Sequence, residues 1–426
     1  VIESLGRKYF MRIGEFAKKY DLTIDTIRHY MDIELLLPEK KGGHYFFGEK
    51  EEMNLKEILD LKALKFTLSE IQKIIGYSRL SQLRTKEDQK YIRAILWHKK
   101  NTLAEEERSI KNALEILNNK IQEIDCIDEV VEGKIGKTGI HISFMSYLNC
   151  PKCQTPLELE DGKITSNMVM EGTFKCSCGY GGNVENGIYI SLDSEDEKNI
   201  QKGPVDPNVK PAATLGEYMD GTETSLINHI YKSIDAIISH IDLENLNHKI
   251  VLELGTGSGF FIKQFLSYLT PNSIYIVTDN DVGRIQYIKD YLEQHSPDCK
   301  FIYICADFMK LPIRNESMDY IVNYLTSLTY NFRNEQILDS IVIPKIKKGG
   351  NLIGCSYYVK SGSKLLKSVP STSRRYFEGK SYKNEILNLG FNHIEMKDIG
   401  AIAINSKYEG MIKGHELSTL VYCGTK

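Results

Sequence analysis

The chain predicts a multidomain fold. A small all-α segment with a hairpin leads into one long helix of coiled-coil type, then a small β segment organised by cysteines, then an α/β domain with a mostly parallel sheet. Three observations carry this. At 426 residues the chain exceeds what one core supports. Two close cysteine pairs stand together, Cys150/Cys153 and Cys176/Cys178. From about Leu215 onward, apolar strand runs alternate with helical patterns, the signature of βαβ units.

Composition narrows the function classes. Fifty-four Lys and Arg against 57 Asp and Glu leave a net charge of −3, so nucleic acid cannot be gripped by bulk positive charge and any such contact is local. With 42% hydrophobic and 26% charged residues the chain is globular, outside the disordered and disulfide-rich classes. No window offers the roughly 18 uninterrupted apolar residues of a spanning helix, and Val1 to Phe16 carries charges where a signal core would lie. The expectation is a cytoplasmic protein, without membrane attachment, whose nine cysteines stay reduced.

The first segment, 11–78, has helix-turn-helix spacing. Ile13 to Tyr20 forms one short helix, Tyr20-Asp21-Leu22 a tight turn, and Thr23 the N-cap of a second helix, Ile24 to Met31. Ile24 and Ile27 are expected to pack inward, with Thr26 and Arg28 outward for bases or phosphates; two ordinary packed helices would share this spacing. The blocks Met11 to Ala17, Thr23 to Tyr30, Leu35-Leu-Leu-Pro38 and Phe66 to Ile71 resemble the DNA-binding domain of MerR-family transcription regulators. The resemblance implies a winged helix-turn-helix in which Thr23, Thr26, Arg28 and Tyr30 lie on or beside the recognition helix. His44 and Tyr45 lie in the wing, Gly42 to Phe47. Where such wings usually carry an arginine this one reads Gly43-His-Tyr-Phe-Phe47, losing a charge-assisted phosphate contact. Cations and anions balance over Met11 to Leu80, twelve of each, so binding must rest on a few placed cations. Ser69-Glu-Ile-Gln72 supplies a capping box for the next helix.

The segment 79–126 lacks Pro and Gly from Ser81 on, and Leu96, Leu103, Ile110, Leu117 and Ile124 recur every seven residues. Leu114 and Ile121 fill the seam in its second half. A coiled coil with a second copy and a helix packed on its own chain both fit; the narrow stripe favours the coiled coil, and the MerR resemblance implies an antiparallel homodimer.

In 146–192, Cys150-Pro-Lys-Cys153 and Cys176-Ser-Cys178-Gly place two thiol pairs on two turns, which four thiolates could close around Zn²⁺. The other reading is ordinary buried thiols, yet Cys126, Cys299, Cys305, Cys355 and Cys423 stand singly, as core cysteines do. A closed four-sulfur site leaves no place for substrate. Asn149 to Leu157, Phe174 to Gly179 and Asn186 to Tyr189 resemble the zinc ribbon that precedes the catalytic domain in some ribosomal RNA guanine methyltransferases, with Cys-x-Cys where those carry Cys-x₃-His. The acidic, Pro-bearing 193–214 reads as a linker.

The last domain, 215–426, is expected to hold strands at Ile250 to Leu254, Ser273 to Thr278, Phe301 to Ala306, Tyr320 to Tyr324 and Asn351 to Ser356, with helices on both faces. After the first comes Glu253-Leu-Gly255-Thr256-Gly257-Ser-Gly259, a glycine loop opening a helix. Its third glycine falls two residues after Gly257 instead of three, so the dinucleotide fingerprint is not met. Asp279 ends the second strand, placed to accept hydrogen bonds from ribose hydroxyls, and Asp307 ends the third. Together these resemble class I S-adenosylmethionine-dependent methyltransferases, of Rossmann-like fold. The resemblance implies that Glu253 and the loop Gly255, Thr256, Gly257 and Gly259 face the methionine portion. Asp279 would hold the ribose, and Asp307 with Phe308 the adenine. Asn323-Tyr-Leu-Thr326 lacks the Pro-Pro-aromatic of base amino methylation and is followed by no Pro-Cys, so no catalytic residue is assigned.

The expected function is a DNA-binding transcription regulator of MerR type whose C-terminal domain binds S-adenosylmethionine as sensor, enzyme or both. A methyltransferase acting on a small molecule, or less favourably on RNA, is the alternative. Expected cofactors are S-adenosylmethionine and Zn²⁺. Expected partners are double-stranded promoter DNA and a second copy through 79–126, with RNA polymerase and a small-molecule effector as further partners the resemblance admits.

Overall fold

The computed structural model describes residues 10–131, 138–192, 215–296, 298–410 and 412–426, so the expected linker 193–214 lies outside the described residues. The chain forms two compact units, 1–127 and 128–426.

In the first unit, β1 (Met11–Arg12) precedes α1 (Ile13–Lys19) and α2 (Ile24–Asp32). The hairpin β2 (Glu39–Lys41) and β3 (His44–Phe47) follows, then α3 (Glu49–Ala63), α4 (Leu68–Ser81) and α5 (Lys86–Val131). The α1–α2 turn closes because Leu22 N–H donates to Ala17 O at 3.0 Å and Asp21 takes a left-handed φ of 52°. Phe16 stacks on Phe47 at 4.4 Å, and Ile27, Tyr30, Leu55, Ile58, Ile71 and Ile74 complete the core. Three expectations shift here. Ile24, in the first turn of α2, points to solvent at 40% exposure, because only Ile27 and Tyr30 fall on the inward stripe. The capping box before α4 is Thr67 with Glu70, two residues earlier than expected: Glu70 N–H donates to Thr67 Oγ1 at 3.3 Å, and Thr67 N–H to Glu70 Oε2 at 2.7 Å. Ser69 lies inside the helix, and Gln72 instead donates to Ile33 O at 2.7 Å. Finally, the long helix expected from 79 starts at Lys86, because the chain turns after α4 at Gln82 and Leu83, both left-handed.

The second unit opens with β4 (Ile140–His141), β5 (Glu158–Thr165), β6 (Met168–Lys175), β7 (Gly181–Glu185) and β8 (Ile188–Ser191). Next come α6 (Leu215–Asp220), α7 (Thr224–Ile238), β9 (Ile250–Leu254), α8 (Phe260–Phe265), β10 (Ile274–Asp279), α9 (Val282–His295) and β11 (Lys300–Cys305). It closes with β12 (Met318–Tyr324), α10 (Thr326–Arg333), α11 (Leu338–Val342), β13 (Ile346–Tyr358), α12 (Gly379–Leu387), β14 (His393–Ala403) and β15 (Glu416–Thr425). One sheet runs β14-β15-β13-β12-β9-β10-β11-β8-β7-β6-β4, with β5 also paired to β6. From β13 to β8 every pairing is parallel, and both ends are antiparallel. Leu226, Ile234, Phe261, Ile285 and Ile288 cover one face; Leu338, Val342, Tyr382 and Ile386 cover the other. The cysteine segment is therefore sheet-continuous with the α/β domain: Tyr303, Ile304 and Cys305 of β11 pair with Ile188, Tyr189 and Ile190 of β8. Among the described residues no helix is long and apolar enough to cross a membrane.

Candidate functional site

In the first unit, α2 begins on a hydroxyl clasp. Thr23 Oγ1 accepts from Thr26 N–H at 3.1 Å, and the two hydroxyls lie 2.8 Å apart. Arg28 extends from the exposed face, held by Asp25 at 3.1 Å. In the wing, Lys40 Nζ sits 5.2 Å from the Tyr45 ring centre, beside exposed His44. Tyr30 departs from expectation. It is 1% exposed, its hydroxyl accepts from Lys62 Nζ at 3.2 Å, and it is a core residue because it stands three positions after Ile27 on the inward stripe.

The four sulfurs of Cys150, Cys153, Cys176 and Cys178 lie within 4.8 Å of one another. Cys150–Cys178 and Cys153–Cys176 are each 3.4 Å apart. Four Zn–S bonds of tetrahedral geometry place sulfurs about 3.8 Å apart, so this set fits a tetrahedral ion with small adjustments. Two tight turns present them: Gln154 N–H donates to Cys150 O and Gly179 N–H to Cys176 O, both at 2.9 Å, with Gln154 and Gly179 left-handed. Burial pushes the Cys150 thiol up to about 12, whereas hydrogen bonding with Thr155 pulls Cys153 down to about 6.

A cleft of about 990 Å³ opens over the C-terminal ends of β9 to β12, where parallel α/β sheets bind ligands. Gly255, Thr256, Gly257, Asp279, Asp307 and Phe308 line it. Gly255 must be glycine: φ is 64°, and a Cβ would meet Thr326 Oγ1 at 2.4 Å. Gly257 N–H donates to Asp279 Oδ2 and Asp281 N–H to Asp279 Oδ1, at 3.0 and 3.1 Å. Burial raises the Asp279 carboxyl above its ordinary range.

Two expected residues stand behind the cleft. Glu253, 1% exposed, turns Oε2 to Thr256 Oγ1 and Tyr275 Oη, each donating at 2.8 Å, and so braces the loop from beneath. Burial lifts its carboxyl to about 7. Gly259, at φ 78°, admits the α8–α9 contact, since a Cβ there would meet Ile288 Cδ1 at 2.3 Å. Sequence reasoning missed several lining residues. Arg284 stands 3.8 Å from Asp279 Oδ1, Leu325 takes a left-handed φ of 59°, and Glu409 accepts from Tyr218 Oη at 3.1 Å. Burial raises the Glu409 carboxyl. Asn183, Glu185 and Ile190 enter from the cysteine segment. Leu325 follows the anticipated strand Tyr320 to Tyr324, whereas the others sit neither in a glycine motif nor at the end of an anticipated strand, and only the pairing of β8 with β11 could have pointed to the last three.

A helix-turn-helix with a hairpin and an α/β domain with an open cleft thus share one chain, and comparison with known proteins names both. Residues 11–77 match the family described as MerR HTH family regulatory protein, and residues 251–342 match a methyltransferase domain. The HTH-type transcriptional regulator YfmP of Bacillus subtilis (strain 168) is 28% identical over 131 residues, 30% of this chain and 92% of that protein. Among solved structures, phosphoethanolamine N-methyltransferase 2 of Haemonchus contortus, with phosphomonomethylethanolamine and S-adenosylhomocysteine, aligns at 14% identity and TM-score 0.36 over 46% of this chain. This chain spans about half of that one, 52%. YcgJ of Bacillus subtilis aligns at 13% identity and TM-score 0.34 over 46% of this chain and 98% of its own. The protein therefore joins a MerR-type helix-turn-helix domain to a methyltransferase domain.

Proposed function

We propose that the protein is a dimeric DNA-binding transcription regulator, acting in the cytoplasm, whose methyltransferase domain binds S-adenosylmethionine and passes that occupancy to the DNA reader. The single observation that carries this is the cleft at the sheet's C-terminal edge, lined by Gly257, Asp279 and Asp307, in a chain that also carries a MerR-type domain. Asp279 takes the ribose, Asp307 and Phe308 the adenine, and the Gly255 to Gly257 loop the methionine portion. Thr23, Thr26, Arg28, His44 and Tyr45 contact promoter DNA, in company with RNA polymerase. The dimer forms on α5, where Ile110, Leu114, Leu117, Ile121 and Ile124 are each more than half exposed on the isolated chain. Zn²⁺ held by Cys150, Cys153, Cys176 and Cys178 supplies a structural crosslink. Coupling requires that the cofactor bind two dimer states with different affinities. Footprinting a promoter fragment with and without S-adenosylmethionine tests this; a changed footprint supports regulation, and an identical one removes it.

A second reading, turnover, is favoured by Glu409. Bound S-adenosylmethionine would supply an electrophilic methyl group. The cleft also holds Glu409, a carboxylate of raised proton affinity oriented by Tyr218, and Tyr324, Thr329 and Asn334 line it as well, groups that would suit a small acceptor. Labelled methyl transfer to small amines and phenols, lost in Glu409→Gln with cofactor affinity intact, would establish it.

A further inference from the structure

The cysteine segment builds one wall of the cleft. β7 returns antiparallel on β8, setting Asn183 opposite Ile190. Alternation along β7 sends Val184 into the core while Asn183 and Glu185 line the same cleft as Asp307 and Phe308. The turns bearing the thiols are tied to the chain just after Asp307 and Phe308. Asn149 N–H donates to Pro312 O at 3.2 Å, Arg314 N–H to Tyr147 O at 2.8 Å, and Asn315 N–H to Gln154 Oε1 at 2.9 Å. Cys176 N–H donates to Tyr180 O at 2.8 Å, and the Tyr180 hydroxyl to Lys310 O at 3.3 Å.

We infer that Asn183 and Glu185 belong to the adenosine end of the cofactor site, and that the metal-closed cysteine turns hold them and the Asp307 loop in place. The inference rests on the cofactor reading above. Thr173 Oγ1 donates to Asn183 Oδ1 at 3.3 Å, which turns the amide so that Nδ2 is available as a donor. Glu185 is exposed and offers only acceptors. An adenosine presents ring-nitrogen acceptors together with amino and hydroxyl donors, so the pair complements it. The matched methyltransferase segment, 251–342, contains neither residue. A module that sequence alone sets aside as a separate ribbon thus becomes part of the cofactor site.

Calorimetric titration of S-adenosylhomocysteine into the full chain tests it. Asn183→Ala and Glu185→Ala should each weaken binding about threefold to tenfold while zinc content and thermal unfolding stay at wild-type values. Chelation of the metal should weaken binding further, and zinc readdition should restore it. Wild-type affinity in the double variant and in the chelated protein would overturn the inference. Wild-type protein that binds no S-adenosylhomocysteine would instead remove the cofactor reading beneath it.

Discussion

Gly257 donates its backbone N–H to Asp279 Oδ2 at 3.0 Å, so the glycine loop and the end of the second central strand are one unit. Gly255 and Gly257, at φ values of 64° and 55°, carry no side chains of their own, so the Asp279 carboxylate holds the loop at Gly257 while Glu253 holds it through Thr256. Asp279→Ala therefore frees the loop at Gly257 as well as removing the acceptor proposed for the ribose. Its loss of S-adenosylmethionine affinity should exceed tenfold, read by calorimetry, and Asp279→Asn should recover part of it.

Glu253 makes the second unit's stability pH-dependent. Its carboxyl rises from the ordinary 4.5 to about 7 through burial, so between these values the folded chain binds more protons than the unfolded one. Stability falls as pH rises through this window and levels off above it. Glu253→Gln keeps an oxygen for Thr256 and Tyr275, and should flatten the profile between pH 5 and 8, a change of up to about 3 kcal/mol. Denaturant unfolding at several pH values reads this; a profile unchanged by the substitution contradicts it.

Tyr30 and Arg28 should separate stability from DNA binding. Tyr30→Phe deletes a buried hydroxyl paired with Lys62 and should cost about 1 kcal/mol of stability with promoter affinity unchanged. Arg28→Ala should leave unfolding unaltered, weaken DNA binding, and lower the slope of log affinity against log salt by about one unit. Equal loss of DNA affinity in both variants would return Tyr30 to the interface.

The exposed stripe on α5 predicts a partner helix. Leu117→Glu combined with Ile124→Glu should convert the dimer to monomer in sedimentation experiments and weaken promoter binding in parallel. A monomeric wild type rules this out.

Legibility of the sequence followed local signal. The central strands from β9 to β12 and the glycine loop were readable because short β runs and conformational glycines are written in consecutive residues. Tyr30 is a core residue because it shares one face with Ile27, a periodicity that outweighs its position in the helix-turn-helix motif. For Glu253 the strand pattern leaves two faces open, and Tyr275 on the neighbouring strand turns it away from the cleft. Glu409 and Asn183 reach the cleft only through long-range pairing, which one sequence does not display. The cysteine tetrad was legible as a set, its place in the sheet was not.

Equilibrium dialysis of radiolabelled S-adenosylmethionine against wild-type and Gly257→Asp chains tests the central claim most directly. About one mole retained per mole of wild-type chain, and none by the variant, is the predicted result. Equal retention by both, or none by either, contradicts the account.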